Sequence, residues 1–181
     1  MMCLGASISK TKKISVIALM GAAAIATNYV LIGVVNVKFM DLIVFTSGYM
    51  LGSASGASVG LLVWIAYGTL NPYGFSVPIL IATALSETIF GVCGGFFHFK
   101  IGKNKVFGLD FRLAITGFLL TVIYDLMTNV VSVLTVGIPL RIGLISGIPF
   151  SLMHEISNAA FFALGFPPLV HAINQLTRYR K

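Results

Sequence analysis

Residues 113–136 read LAITGFLLTVIYDLMTNVVSVLTV, 24 residues with a single charge at Asp125. About 20 predominantly apolar residues suffice to cross the hydrocarbon core of a bilayer as a helix, so the stretch reads as a transmembrane span. Asp125 falls in its middle, where a carboxylate is costly and usually marks a site. Thr121, Asp125, Thr128, Asn129 and Ser132 follow at spacings of 4, 3, 1 and 3, which places them on one face of a helix. The opposite face is Leu, Ile, Val, Phe and Met. One side suits lipid; the other needs polar partners from the rest of the chain.

The composition agrees. Of 181 residues, 57% are hydrophobic and 9% charged, with a mean hydropathy of +0.99, against roughly 25% charged in soluble domains. The chain reads as one integral membrane domain, residues 1–181. In a soluble protein the net charge of +7 would suggest nucleic acid. Here the preference for Lys and Arg on the cytoplasmic side accounts for it, and no nucleic-acid partner is expected. Cys3 and Cys93 form no CxxC or zinc-ligand spacing, so neither a disulfide framework, a metal nor a cofactor is expected. Lys10, Lys12 and Lys13 precede an apolar run at 14–35. It exceeds the roughly 7–15 residues of a signal-peptide core and reads as a retained first span.

Six spans are predicted, near 14–35, 42–52, 54–70, 77–99, 113–136 and 144–173. In the first, Ala18, Ala22 and Ala26 stand four apart and make a flat face suited to close helix contact, within the bundle or with another subunit. Asn28 is a lone polar residue suited to an interhelical hydrogen bond. Residues 36–41 (NVKFMD) form a short polar break. Residues 42–70 would make about 43 Å of continuous helix, more than one core needs. Gly48, Gly52, Gly56 and Gly60 recur among serines, so two helices with a turn at 52–56 are preferred, the first short. Asn71-Pro72-Tyr73-Gly74-Phe75 is a turn, near which Trp64, Tyr67, Tyr73 and Phe75 gather as an interfacial belt or a stacking surface for a ring-shaped ligand. Thr83, Ser86 and Glu87 share a face of span 4. Ser151, His154, Glu155 and Asn158 share a face of span 6, which is interrupted by Pro149 and by Pro167-Pro168.

With both termini inside, ten of the twelve Lys and Arg lie in cytoplasmic segments, leaving Lys38 and Arg141 outside. The bias predicts an N-in, C-in protein of the plasma membrane. This orientation brings Glu87, Asp125 and Glu155 to a similar depth near the midplane. Three acids on three polar helix faces suggest one cavity opening outward, with Lys38 and Arg141 at its rim. The alternative is that the acids are structural partners of His154, Asn129 and Asn158.

These features together resemble the substrate-binding S components of energy-coupling factor (ECF) vitamin transporters. The resemblance is carried by six spans in about 180 residues, by Ala18-x-x-x-Ala22, by the run GYMLGSASGASVGLLVWIAYG at 48–68, and by Tyr124-Asp125-Leu126-Met127-Thr128-Asn129. It implies an all-α S-component-like bundle that captures a vitamin or related micronutrient from the outer face. It implies substrate contacts among Tyr73, Thr83, Glu87, Asp125, Asn129, His154 and Glu155. It also implies that the alanine face Ala18, Ala22, Ala26 docks on a transmembrane coupling subunit that works with two ATPases. The further spacing Ala22-x-x-x-Ala26 leaves two docking registers open. A buried acid would compensate a cationic or hydrogen-bond-donating ligand.

The chain has no Walker A pattern, no G-x-S-x-G and no H-E-x-x-H, so it is not expected to be an enzyme. Two other classes are kept. One is a structural scaffold resembling the MreD cell-shape group, which would need no cavity. The other is an intramembrane enzyme using Asp125, Glu155 and His154, a weak constellation for catalysis.

Overall fold

The computed structural model describes residues 9–70, 72, 74–97 and 109–178, with side chains to residue 175. Tyr73 and the basic residues Lys100, Lys103, Lys105, Arg180 and Lys181 lie outside the described residues. Within them the chain is all-helical: α1 Lys10–Val30, α2 Met40–Leu51, α3 Ser53–Leu70, α4 Val77–Phe96, α5 Phe111–Val136 and α6 Leu140–Arg178. Five of these are long and apolar enough to cross a membrane; α2, with 12 residues, is the short one.

The ends follow local chemistry. Ser9 Oγ accepts from the Lys12 N–H at the start of α1, and Asp110 accepts from the Arg112 N–H at 2.9 Å at the start of α5, each satisfying a donor left free by the first turn. Gly137 ends α5 in the left-handed region, φ 77, where glycine carries no Cβ penalty. The predicted turn between the second and third helices is the single residue Gly52, at φ 94.

Three elements differ in extent from their expected spans. The first was expected to run to residue 35, but α1 stops at Val30 and residues 31–37 form successive turns. Asn36 there adopts φ 55, and its side chain donates to the Phe150 carbonyl at 2.8 Å, tying the segment to α6. Asp41, expected to close a polar break, lies in the first turn of α2 and is fully buried. The last helix continues from Leu140 through Pro149, Pro167 and Pro168, as membrane helices can when neighbours satisfy the freed backbone groups.

The bundle is built around α2. All its residues except Tyr49 are buried, and it touches α1, α3, α4 and α6. Its hydroxyls bond within the helix, Thr46 to the Leu42 carbonyl and Ser47 to that of Val44, so they need nothing from their apolar surroundings. Phe45 packs against Phe97, Phe162 and Phe166 with ring centroids 5.0–5.6 Å apart. The glycine run brings three backbones together. A Cβ at Gly56 would strike Gly48 of α2 and Gly91 of α4, and one at Gly91 would strike the Gly56 carbonyl group. The outer faces carry Ile81, Leu85, Ile115, Leu119, Ile123, Leu126, Leu152 and Ile156, all about half exposed. Apolar residues face out and polar ones face in, the pattern of a protein solvated by lipid.

The glycine contact makes a direct prediction. Gly56→Val should lower the melting temperature of the detergent-purified protein sharply, by the equivalent of about 3 kcal/mol or more, since backbone cannot yield as a side chain would. Gly21→Ala, on α1 with nothing within 4 Å of the added carbon, should leave it unchanged. Equal effects would remove the proposed close approach.

Candidate functional site

The buried polar faces converge on His154, which is itself fully buried. Its Nε2 lies 2.8 Å from Asp41 Oδ2 and its Nδ1 lies 2.9 Å from Asp125 Oδ1. One ring thus joins α2, α5 and α6. A neutral imidazole donates from one nitrogen only, so both contacts are hydrogen bonds only if the ring is doubly protonated or one carboxyl carries the proton. Asn158, one turn further along α6, donates to Asp41 Oδ2 at 2.5 Å and to Thr121 Oγ1 at 2.8 Å. Asp41 stands in the first turn of α2, at the positive end of its dipole.

Glu87 of α4 adjoins this group. It is fully buried, accepts from Trp64 Nε1 at 3.2 Å, and interacts with the Asp41 carboxyl. Glu87 Oε1 and Asp41 Oδ1 have no hydrogen-bond partner. Tyr124 stands edge-on to His154, with centroids 5.7 Å apart, and lies 30° from parallel with Trp64. Lys38 Nζ lies over both rings, 5.2 Å from the Trp64 centroid and 5.1 Å from that of Tyr124, a cation–π arrangement.

Beside this network opens a cavity of about 560 Å³, within the roughly 300–1,000 Å³ of small-molecule sites. It is enclosed by the end of α1 and the turns after it, the end of α3, the start of α4 and the facing parts of α5 and α6. Tyr29 holds the end of α1 against that of α3 by donating to the Leu70 carbonyl at 3.1 Å. Most of the wall's surface is apolar. Its polar members include Asn28, Lys38, Ser76, Thr83 and Asn129, and Trp64 and Tyr67 supply rings.

The residues expected at the site divide into two groups. Thr83 and Asn129 line the cavity, and Asn129 donates to Ser151 Oγ at 2.9 Å. Glu87, Asp125 and His154 stand behind the wall in the network. Glu155 is buried next to His154 but takes no part in these hydrogen bonds. Lys38 lines the cavity, whereas Arg141 is exposed and absent from its wall. The first-helix residues Ala18, Ala22 and Ala26 are exposed, opposite the buried face of Met20, Gly21, Ala24 and Asn28. Asn28 is buried with its amide nitrogen unpartnered, so it does not donate the interhelical hydrogen bond expected of it. Among the described residues no cluster of His, Cys, Asp and Glu is arranged to hold a metal ion.

Asp41 is the member that pattern reading missed. Helical spacing groups residues within one span, and Asp41 stands at the boundary of a span. The available signal was an acid directly before the apolar run Leu42–Phe45, as at a helix start. Comparison with protein-family models, with curated proteins and with solved structures finds no match to this chain.

The network predicts an asymmetry between neighbours. His154→Ala strands two buried carboxylates and should destabilise the protein by about 3–5 kcal/mol, whereas Glu155→Gln should cost less than about 1 kcal/mol. Denaturant unfolding in detergent would separate them, and similar losses would mean that His154 is not the junction.

Proposed function

We propose that this chain is the membrane-embedded substrate-binding subunit of an ECF-type transporter, taking a micronutrient-sized molecule from the outer face. The cavity carries the proposal. It is large enough for such a molecule, mostly apolar, lined by a few polar side chains, and set at the ends of helices that the charge bias places outside. Its floor is braced by hydrogen bonds across α2, α5 and α6, which gives a ligand a firm base. The turns at residues 31–37 form part of the wall and are the element suited to admit and enclose it.

The exposed stripe Ala18, Ala22, Ala26 supports a second part of the proposal. A smooth alanine face on the outside of a bundle lets another helix approach closely, as docking on a coupling subunit requires. Inward release then draws on ATP hydrolysed by partner subunits. Both termini lie in the cytoplasm, and α2 completes the sixth passage through the membrane together with the connection that precedes it.

Native mass spectrometry of the detergent-purified protein, followed by denaturing extraction, tests the capture role. A stoichiometric small molecule is expected. Gly147 lines the cavity, and a carbon added there would meet only Asn129 Nδ2, at 3.7 Å. Gly147→Leu should therefore fill the space and abolish ligand retention while the melting temperature holds. A clean apo mass that persists after incubation with vitamins and their precursors, with no rise in melting temperature, would favour a scaffold role of the MreD kind instead.

A further inference from the structure

Among the described residues the cavity wall carries one charge. Lys38 lines it, and no Asp or Glu does. Asp41 and Glu87 lie close enough to feel Lys38, and each has one oxygen taken, Asp41 Oδ2 by His154 and Asn158 and Glu87 Oε2 by Trp64 Nε1, and one without a hydrogen-bond partner, but neither comes within ion-pair distance of Lys38. Among the described residues Lys38 makes no ion pair within 4 Å, and its ammonium group lies over the faces of Trp64 and Tyr124. Three N–H donors of that group are thus left without a strong acceptor beside an apolar cavity.

Two further features have the same sign. Asn28 is 3% exposed and lines the cavity, and its amide nitrogen has no acceptor. A buried donor left unpaired costs about 1–3 kcal/mol, a cost that a ligand oxygen would remove. The start of α4 also opens here. Ser76, Ile79 and Leu80 line the cavity, and the Ser76 side chain makes no capping hydrogen bond. Pro78 in that first turn has no N–H and the Leu80 N–H is taken by the Ser76 carbonyl, so the helix start contributes mainly the positive end of its dipole.

We infer that the cavity selects an amphipathic organic anion, a mainly apolar small molecule bearing one carboxylate, with Lys38 as the anion's partner and Asn28 donating to an acceptor oxygen. The inference rests on the capture role proposed above and adds the ligand's charge. A cation would meet Lys38 with no acid on the wall to offset it. Among the described residues a polyanion such as a nucleotide would find a single cationic side chain in a mainly apolar wall.

The chain's only tryptophan, Trp64, lines the cavity, so its fluorescence reports occupancy in the purified full chain without a label. Three probes of one shape and different charge suffice at pH 7: 4-phenylbutyrate, 4-phenylbutyramide and 4-phenylbutylamine. The carboxylate should bind about tenfold or more tightly than the amide, and the amine most weakly. Lys38→Met should abolish the advantage of carboxylate over amide while amide binding persists, and Lys38→Arg should retain it. Equal binding of acid and amide, tightest binding of the amine, or no response to any probe would overturn the inference. The capture role is judged separately. A copurified molecule lacking an acidic group would leave that role standing and remove only the anion, whereas an empty protein would remove both.

Discussion

His154 touches acids on two other helices, and the placing of the bundle's polar faces follows from those contacts. In a protein solvated by hydrocarbon, a polar group finds its partner inside or goes without. Asp41, Thr121, Asp125, His154 and Asn158 come from α2, α5 and α6, and each is buried. Their hydrogen bonds are directional, so they set how far each helix is rotated and shifted along its axis. A buried ion pair is weak evidence for net stability, because desolvation offsets much of the attraction. Its firmer consequence is geometric, since a helix turned by one residue would leave a carboxylate facing Leu or Phe.

Close backbone contact makes this possible. The short helix α2 can stand at the centre because Gly48, Gly56 and Gly91 let α2, α3 and α4 meet without side chains between them. Dispersion over such a contact substitutes for the hydrophobic drive that lipid removes. Close approach on the glycine side leaves room on the other for the Phe45, Phe162 and Phe166 cluster. Rigid backbone packing lies on one flank of α2 and a directional polar junction on the other.

The cavity lies where that order gives way to turns. Residues 31–37 are apolar enough to extend α1, yet they leave the helix and become wall. Trp64 links the two regions, with its indole N–H on Glu87 in the network and its ring against the cavity and under Lys38.

Much of this was legible in the residues. The composition and apolar runs determined an all-helical chain with helices long and apolar enough to cross a membrane. The Gly–Ser run determined a break between α2 and α3. Period 3.6 grouped Thr121, Asp125, Thr128, Asn129 and Ser132 on one helix, Thr83, Ser86 and Glu87 on another, and Ser151, His154, Glu155 and Asn158 on a third; all are buried except Asn129, Ser132 and Ser151, which are half-buried. Such patterns report which face turns inward because the solvent acts on each helix separately. They carry no information on which inward face meets which. Only the tertiary structure decided that His154 bridges Asp125 to Asp41, 113 positions earlier in the chain, and that the acids stand behind the wall while Lys38 lines it. Those outcomes depend on the rotation and depth of several helices at once, which are settled by close packing and directional hydrogen bonds between elements distant in sequence.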